Sequence, residues 1–164
     1  MYLKAKEKAK KGGKNMTVNK ETTEKKCCFY ASDFHLEMTI VPYINKKIEE
    51  NKNIVIITQN DLEQTVNILI SKMNIKNKNA ILELDWNNSS INQVVGKNNL
   101  VIIINGSRNF VEMQNQKMKE ILLEETQVEI VDCYNFEEVK DEMVEIREGY
   151  RELLNNLQKT IEKL

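Results

Sequence analysis

Four side chains combine a reactive type with a suggestive position. Asp33, Asp85 and Asp132 each follow a short apolar run, and the single histidine, His35, stands two residues beyond the first of them. Carboxylates at neighbouring strand ends could hold Mg2+, which takes hard oxygen ligands and retains several waters. A metal held that way activates water or clamps a phosphoryl group, and a histidine titrating near neutrality serves beside it as general acid or base. As chemistry, the set describes a metal-dependent phosphoryl-transfer enzyme, a small nuclease or phosphatase, with Mg2+ implied on that reading alone. As architecture, the same residue types cap helices and shape turns in any α/β protein. Capping is the simpler account.

Missing motifs weigh on the choice. A phosphate-cradling loop needs glycines that let backbone N–H groups wrap the anion, and a lysine for the β/γ oxygens. The chain has five glycines, none between the first apolar run and the helix pattern after it, and no Gly-Lys-Ser/Thr anywhere. One histidine cannot build a multi-His zinc centre, and no Gly-x-Ser-x-Gly elbow is present. ATPase, kinase, dehydrogenase and hydrolase chemistry thus lose their signatures. The expected function is a non-catalytic Rossmann-like binding or interaction module.

Its ligand-binding candidates are the polar residues that end each apolar run: Ser32, Asp33 and His35, then Thr58 and Asn60, Trp86, Asn105 with Ser107 and Arg108, and Tyr134. In open α/β sheets ligands lie outside the carboxyl ends of the strands, where such residues gather. Arg108 is the obvious cation of this rim and the candidate to meet an anionic ligand. Trp86 could stack on a ring, although a lone tryptophan past a strand more often packs on a helix. Tyr134 and Cys133 read more readily as packing residues.

The elements that would position these side chains follow from periodicity. Apolar runs at residues 27–31, 53–58, 80–85, 100–104 and 128–131 read as five strands, the β-branched ones buried on both sheet faces. Leu36, Ile40, Ile44 and Ile48 recur every fourth residue, placing a stripe on a helix over residues 34–51 that starts at Ser32 or Asp33 and carries Pro42 inside it. Asn60 with Glu63 suggests a capping box for the next helix, and Asn135 with Glu138 another. A helix is expected over about residues 109–123. Alternating strands and helices predict a Rossmann-like three-layer α/β fold: a five-stranded, mainly parallel sheet with right-handed crossovers and helices on both faces. The last helix is expected to run over residues 136–164, with Ile146, Tyr150, Leu153, Leu157 and Leu164 as a short heptad-like seam for a homo-oligomer.

The domain organisation is simple. Residues 1–25 read as a flexible basic arm and 26–164 as one α/β domain, because nine Lys against three Glu fill residues 1–26 and no periodic apolar positions do. Such an arm suggests nucleic-acid contact, while the rim suggests a protein or small-ligand partner. No run approaches the ~18 apolar residues a membrane span needs. Three cysteines without a C-x-x-C pair and without an apolar leader point to free thiols in the cytoplasm.

One stretch carries a family resemblance. The order Phe-Tyr-Ala-Ser-Asp-Phe-His-Leu-Glu-Met-Thr-Ile, a helix, then Ile-Val-Ile-Ile-Thr-Gln-Asn-Asp-Leu-Glu-Gln-Thr-Val and a second helix, within residues 27–73, resembles the start of a RecA-type ATPase core of the sort found in replicative helicases. In that family residues 33–39 would form the phosphate loop. Leu36-Glu37-Met38-Thr39 stands where Gly-Lys-Thr would be, so only Thr39 aligns with the magnesium-binding hydroxyl. The resemblance implies a degenerate nucleotide-binding fold that does not hydrolyse.

Overall fold

The computed structural model describes residues 23–122 and 127–154. In chain order the elements are β1 (Thr23–Tyr30), α1 (Asp33–Glu49), β2 (Asn53–Thr58), α2 (Glu63–Lys72), α3 (Lys78–Leu82), a 3-10 turn (Ile91–Val94), β3 (Leu100–Gly106), α4 (Arg108–Ile121), β4 (Val128–Asn135), α5 (Phe136–Val139), a 3-10 turn (Lys140–Glu142), α6 (Met143–Glu148) and β5 (Glu152–Leu153). The strands form one sheet in the order β2-β3-β4-β1-β5, every pair parallel. This is the expected three-layer α/β fold.

Two apolar cores sandwich the sheet, and side-chain alternation sorts the strands between them. Cys28, Tyr30, Ile56, Ile103 and Cys133 face α1, α2 and α3, meeting Leu36, Ile40, Leu62, Val66 and Trp86. Cys27, Ile57, Ile104, Ile130 and Tyr134 face α4, α5 and α6, meeting Val111, Met118, Val139 and Ile146. Parallel strands covered on both faces read as unbroken apolar runs, and every residue of Leu100–Gly106 is buried. The link from β2 to β3 starts on the α1 face and finishes on the α4 face, wrapping the free edge of β2. There Gln93 donates to the Ile56 carbonyl at 2.9 Å, and Thr58 N–H donates to the Asn88 carbonyl at 2.9 Å. An edge whose backbone groups are met in this way is blunted against pairing with another chain.

Four expectations change. Residues 80–85 are not a strand: residues 78–82 form α3, where Ile81 is buried and Leu82 is exposed. A short apolar run cannot by itself distinguish strand from helix, and here Trp86 Nε1–H closes the turn on the Ile81 carbonyl at 2.7 Å. The fifth strand is β5 instead, which pairs Lys26 with Glu152 and Cys27 with Leu153.

The long C-terminal helix is the second correction. Helix α5 has four residues, α6 ends at Glu148 with Gly149 as its cap, and the chain then turns into the sheet. Ile146, Tyr150 and Leu153 of the proposed seam pack on this chain's own α4-face core; Leu157 and Leu164 lie outside the described residues. Third, β1 already begins at Thr23 and so takes the last residues of the expected arm, while residues 1–22 lie outside the described residues. Fourth, the capping box at Asn60 does not form. The carboxylate of Asp61 accepts from Glu63 N–H at 3.0 Å, and Leu62 occupies the cap position.

Candidate functional site

All carboxyl ends of a parallel sheet share one edge, and connections leave that edge toward either face. Chain leaves β1 into α1 on one face and leaves the neighbouring β4 into α5 on the other. Tyr30 and Asn135 are the register partners from which the two segments diverge. A split of this kind opens a crevice, and it is where open α/β sheets seat ligands.

The first wall is built by local capping. Ser32 is the N-cap of α1, its hydroxyl accepting from His35 N–H at 3.1 Å. His35 Nδ1 accepts from Ala31 N–H at 2.9 Å. Asp33 occupies the first helical turn, where a carboxylate suits the positive end of the helix dipole. On the second wall Asn135 caps α5, accepting from Glu137 N–H at 2.9 Å. Phe34, Met38 and Phe136 stand beside these groups with 43%, 46% and 38% of their surface exposed. Two exposed phenylalanines at adjacent strand exits are the signal that polar-residue reasoning passed over. Tyr30, buried at the end of β1, has its phenol pushed up by burial, with Asp33 and Glu138 both adding to the push.

The rest of the rim is mostly closed on itself, although among the described residues the buried Asn105 Oδ1 has no partner. Asn105 Nδ2 donates to Thr58 Oγ1 at 3.1 Å, and Thr58 Oγ1 in turn donates to the Asn60 carbonyl at 2.7 Å. The Gln59 side chain accepts from Ser107 N–H at 2.8 Å, and Ser107 caps α4 by accepting from Phe110 N–H at 3.1 Å. A Cβ on Gly106 would meet Phe110 Cδ2 at 2.6 Å and Gln59 Oε1 at 2.7 Å, so only glycine fits beneath that lid. Thr58, Asn60 and Asn105 thus bond within their own cluster, and Ser107 is engaged by Gln59 and its cap. Arg108 is not a free cation: its guanidinium bonds Glu112 at 2.9 Å and Glu142, with Glu145 at 3.3 Å. Trp86 is buried and Tyr134 stacks on Phe29 with ring centroids 5.9 Å apart.

The three aspartates do not converge. Asp33 lies at the rim on the α1 face. Asp85 is exposed and accepts from Asn88 Nδ2 at 2.8 Å within a turn. Asp132 falls inside β4, in register with Ile104 and Cys27, and alternation turns it to the α4 face. It was expected at a strand end on a strand read as stopping at Val131, whereas β4 runs on to Asn135. Among the described residues no group of three or more His, Cys, Asp or Glu is arranged to hold a metal ion. The residues present do not fit Mg2+ held by these carboxylates, and no chemistry through it is derived.

Two buried carboxylates instead define the interior. Asp132 is fully enclosed and accepts from Tyr150 OH at 2.6 Å and Asn115 Nδ2 at 3.0 Å, with Lys25 Nζ at 3.5 Å. Because the Tyr150 proton points at Asp132, Tyr134 OH is the donor in its 2.6 Å bond to Tyr150. Burial pushes the Asp132 carboxyl up, against the pull of Lys25, Tyr150 and Asn115. Glu37, on α1 one turn after Asp33, is also fully enclosed. Its Oε2 accepts from the Thr65 hydroxyl of α2, while its Oε1 has no partner among the described residues. Burial pushes it up to about 7; the Thr65 bond lowers it and Asp33 adds to the rise. A glutamate among Leu36, Ile40, Val41 and Ile44 on the apolar stripe of α1 was the available sequence signal.

No family model, curated protein or solved structure matches this chain. Among the described residues no helix is long and apolar enough to cross a membrane.

Proposed function

We propose that the protein is a non-catalytic Rossmann-like binding module whose occupant seats between the ends of β1 and β4. The observation that carries this reading is the divergence of the chain at Tyr30 and Asn135 to opposite faces, flanked by exposed Phe34, Met38 and Phe136. Apolar surface with a few placed polar groups is the usual composition of a ligand crevice. Asp33, Glu137 and Glu138 give this one negative character, so it suits a small ligand or partner segment that joins an apolar ring to a cation. A nucleotide fits it less well. Residues 33–39, which the RecA-type resemblance aligns with a phosphate loop, are helical throughout and bear two carboxylates.

The test is a titration of the isotopically labelled chain with aromatic amines such as tyramine and, separately, with adenine nucleotides. Amines should shift the amide resonances of residues 32–35 and 135–138, and a Phe34→Ala/Phe136→Ala variant should lose the response. Shifts confined to other surfaces, or a response to nucleotides alone, would remove the reading.

A further inference from the structure

We propose that Glu37 is a proton-operated latch between α1 and α2, closed when its carboxyl is protonated and loosened when it is ionised. The inference does not depend on any ligand. Its basis is geometric: a fully enclosed carboxyl joins two helices through one hydroxyl, and its second oxygen has no donor among the described residues. A neutral carboxyl tolerates that setting, whereas a buried carboxylate lacking a cation and most of its hydrogen bonds is costly. Among the described residues no Lys, Arg or His pairs with it.

The surrounding charges act in one direction. Asp33, on the preceding turn of α1, repels the ionised form. From α2 the facing group is the Thr65 hydroxyl, and Glu63 on that helix is engaged by Asn87 at 3.4 Å. The strands present Tyr30, Cys28 and Cys133 on this face, and Trp86 completes the core, none of them a cation. The midpoint of the latch thereby falls at about 7, within the range a cell traverses. Thr65 lies in the first turn of α2, beside the rim that the loop from β2 enters. Ionisation loosens that turn first.

The experiment follows the Glu37 side-chain carboxyl carbon by NMR in the full chain from about pH 5 to about pH 9, with amide hydrogen exchange of residues 63–66 read in parallel. The carboxyl should titrate at about 7, and exchange in the first turn of α2, corrected for its intrinsic pH dependence, should quicken roughly tenfold above that midpoint. Glu37→Gln should remove the pH response while leaving exchange slow. Two further variants move the midpoint without removing the carboxyl. Thr65→Val should raise it, and Asp33→Asn should lower it. A midpoint near the ordinary 4.5, or exchange that ignores the transition, would overturn the proposal.

Discussion

Asp132 and Glu37 are both enclosed acids, one on each face of the same sheet, and they differ in company. Asp132 has two hydrogen-bond donors and an ammonium group, which it gathers from β1, α4 and the loop after α6. Among the described residues Glu37 has one hydroxyl and an oxygen with no partner. A buried carboxyl whose lone pairs are met is held in place by its partners, and one left half met is held mainly by the packing around it. The α4 face is therefore clamped. Chemical freedom remains on the α1 face, below the crevice where β1 and β4 part.

Breaking the clamp should have the largest effect. Asp132→Ala leaves Tyr150 and Asn115 without their acceptor and removes the anchor of the segment that carries β5, so it should cost about 3–5 kcal/mol in urea unfolding. Thr65→Val acts on the other acid. It removes the one donor to Glu37 among the described residues and should cost about 1–3 kcal/mol, more at high pH than at low, since the ionised carboxyl leans on that donor more than the neutral one does. Tyr150→Phe leaves Asp132 with Asn115 and Lys25, and about 1 kcal/mol should be lost. Ser32→Ala removes the cap of α1 and should cost about 1 kcal/mol without moving either acid's titration. If Asp132→Ala proves as mild as Ser32→Ala, the contrast between the two faces fails.

Much of this was legible in the sequence. Residues 53–58 and 100–104 read correctly as buried strands, because a β-branched run covered on both faces needs no alternation. Ser32 and the stripe from Leu36 to Ile48 announced α1, and Pro42 is carried inside it. What escaped had tertiary causes. Residues 136–148 are rich in helix formers and suggest one continuous helix, yet Tyr150 is pulled back to Asp132 and Tyr134, so the chain turns at Gly149, the only glycine after Gly106. The two residues of β5 have no local signature; the sheet holds them, with Leu154 N–H donating to the Cys27 carbonyl at 2.8 Å. Asp132 was misplaced by one assumption, that a polar residue ends a strand. Inside β4 it alternates with Ile130 and Tyr134 toward a polar cluster that only the folded chain assembles.

The central claim is that Glu37, on the α1 face, gains affinity for a proton when the chain folds, and one comparison tests it directly. Stability to urea is measured for the natural chain and for Glu37→Gln across a series from acid to neutral pH. Glu37 is raised from 4.5 to about 7 by folding, so its protonated form favours the native state, and that contribution fades as pH climbs through this window. The natural chain should lose stability relative to Glu37→Gln over that span and run parallel to it above. Asp132 is raised as well, but it is common to both chains and cancels. Two curves that stay parallel from acid to neutral pH would contradict the account.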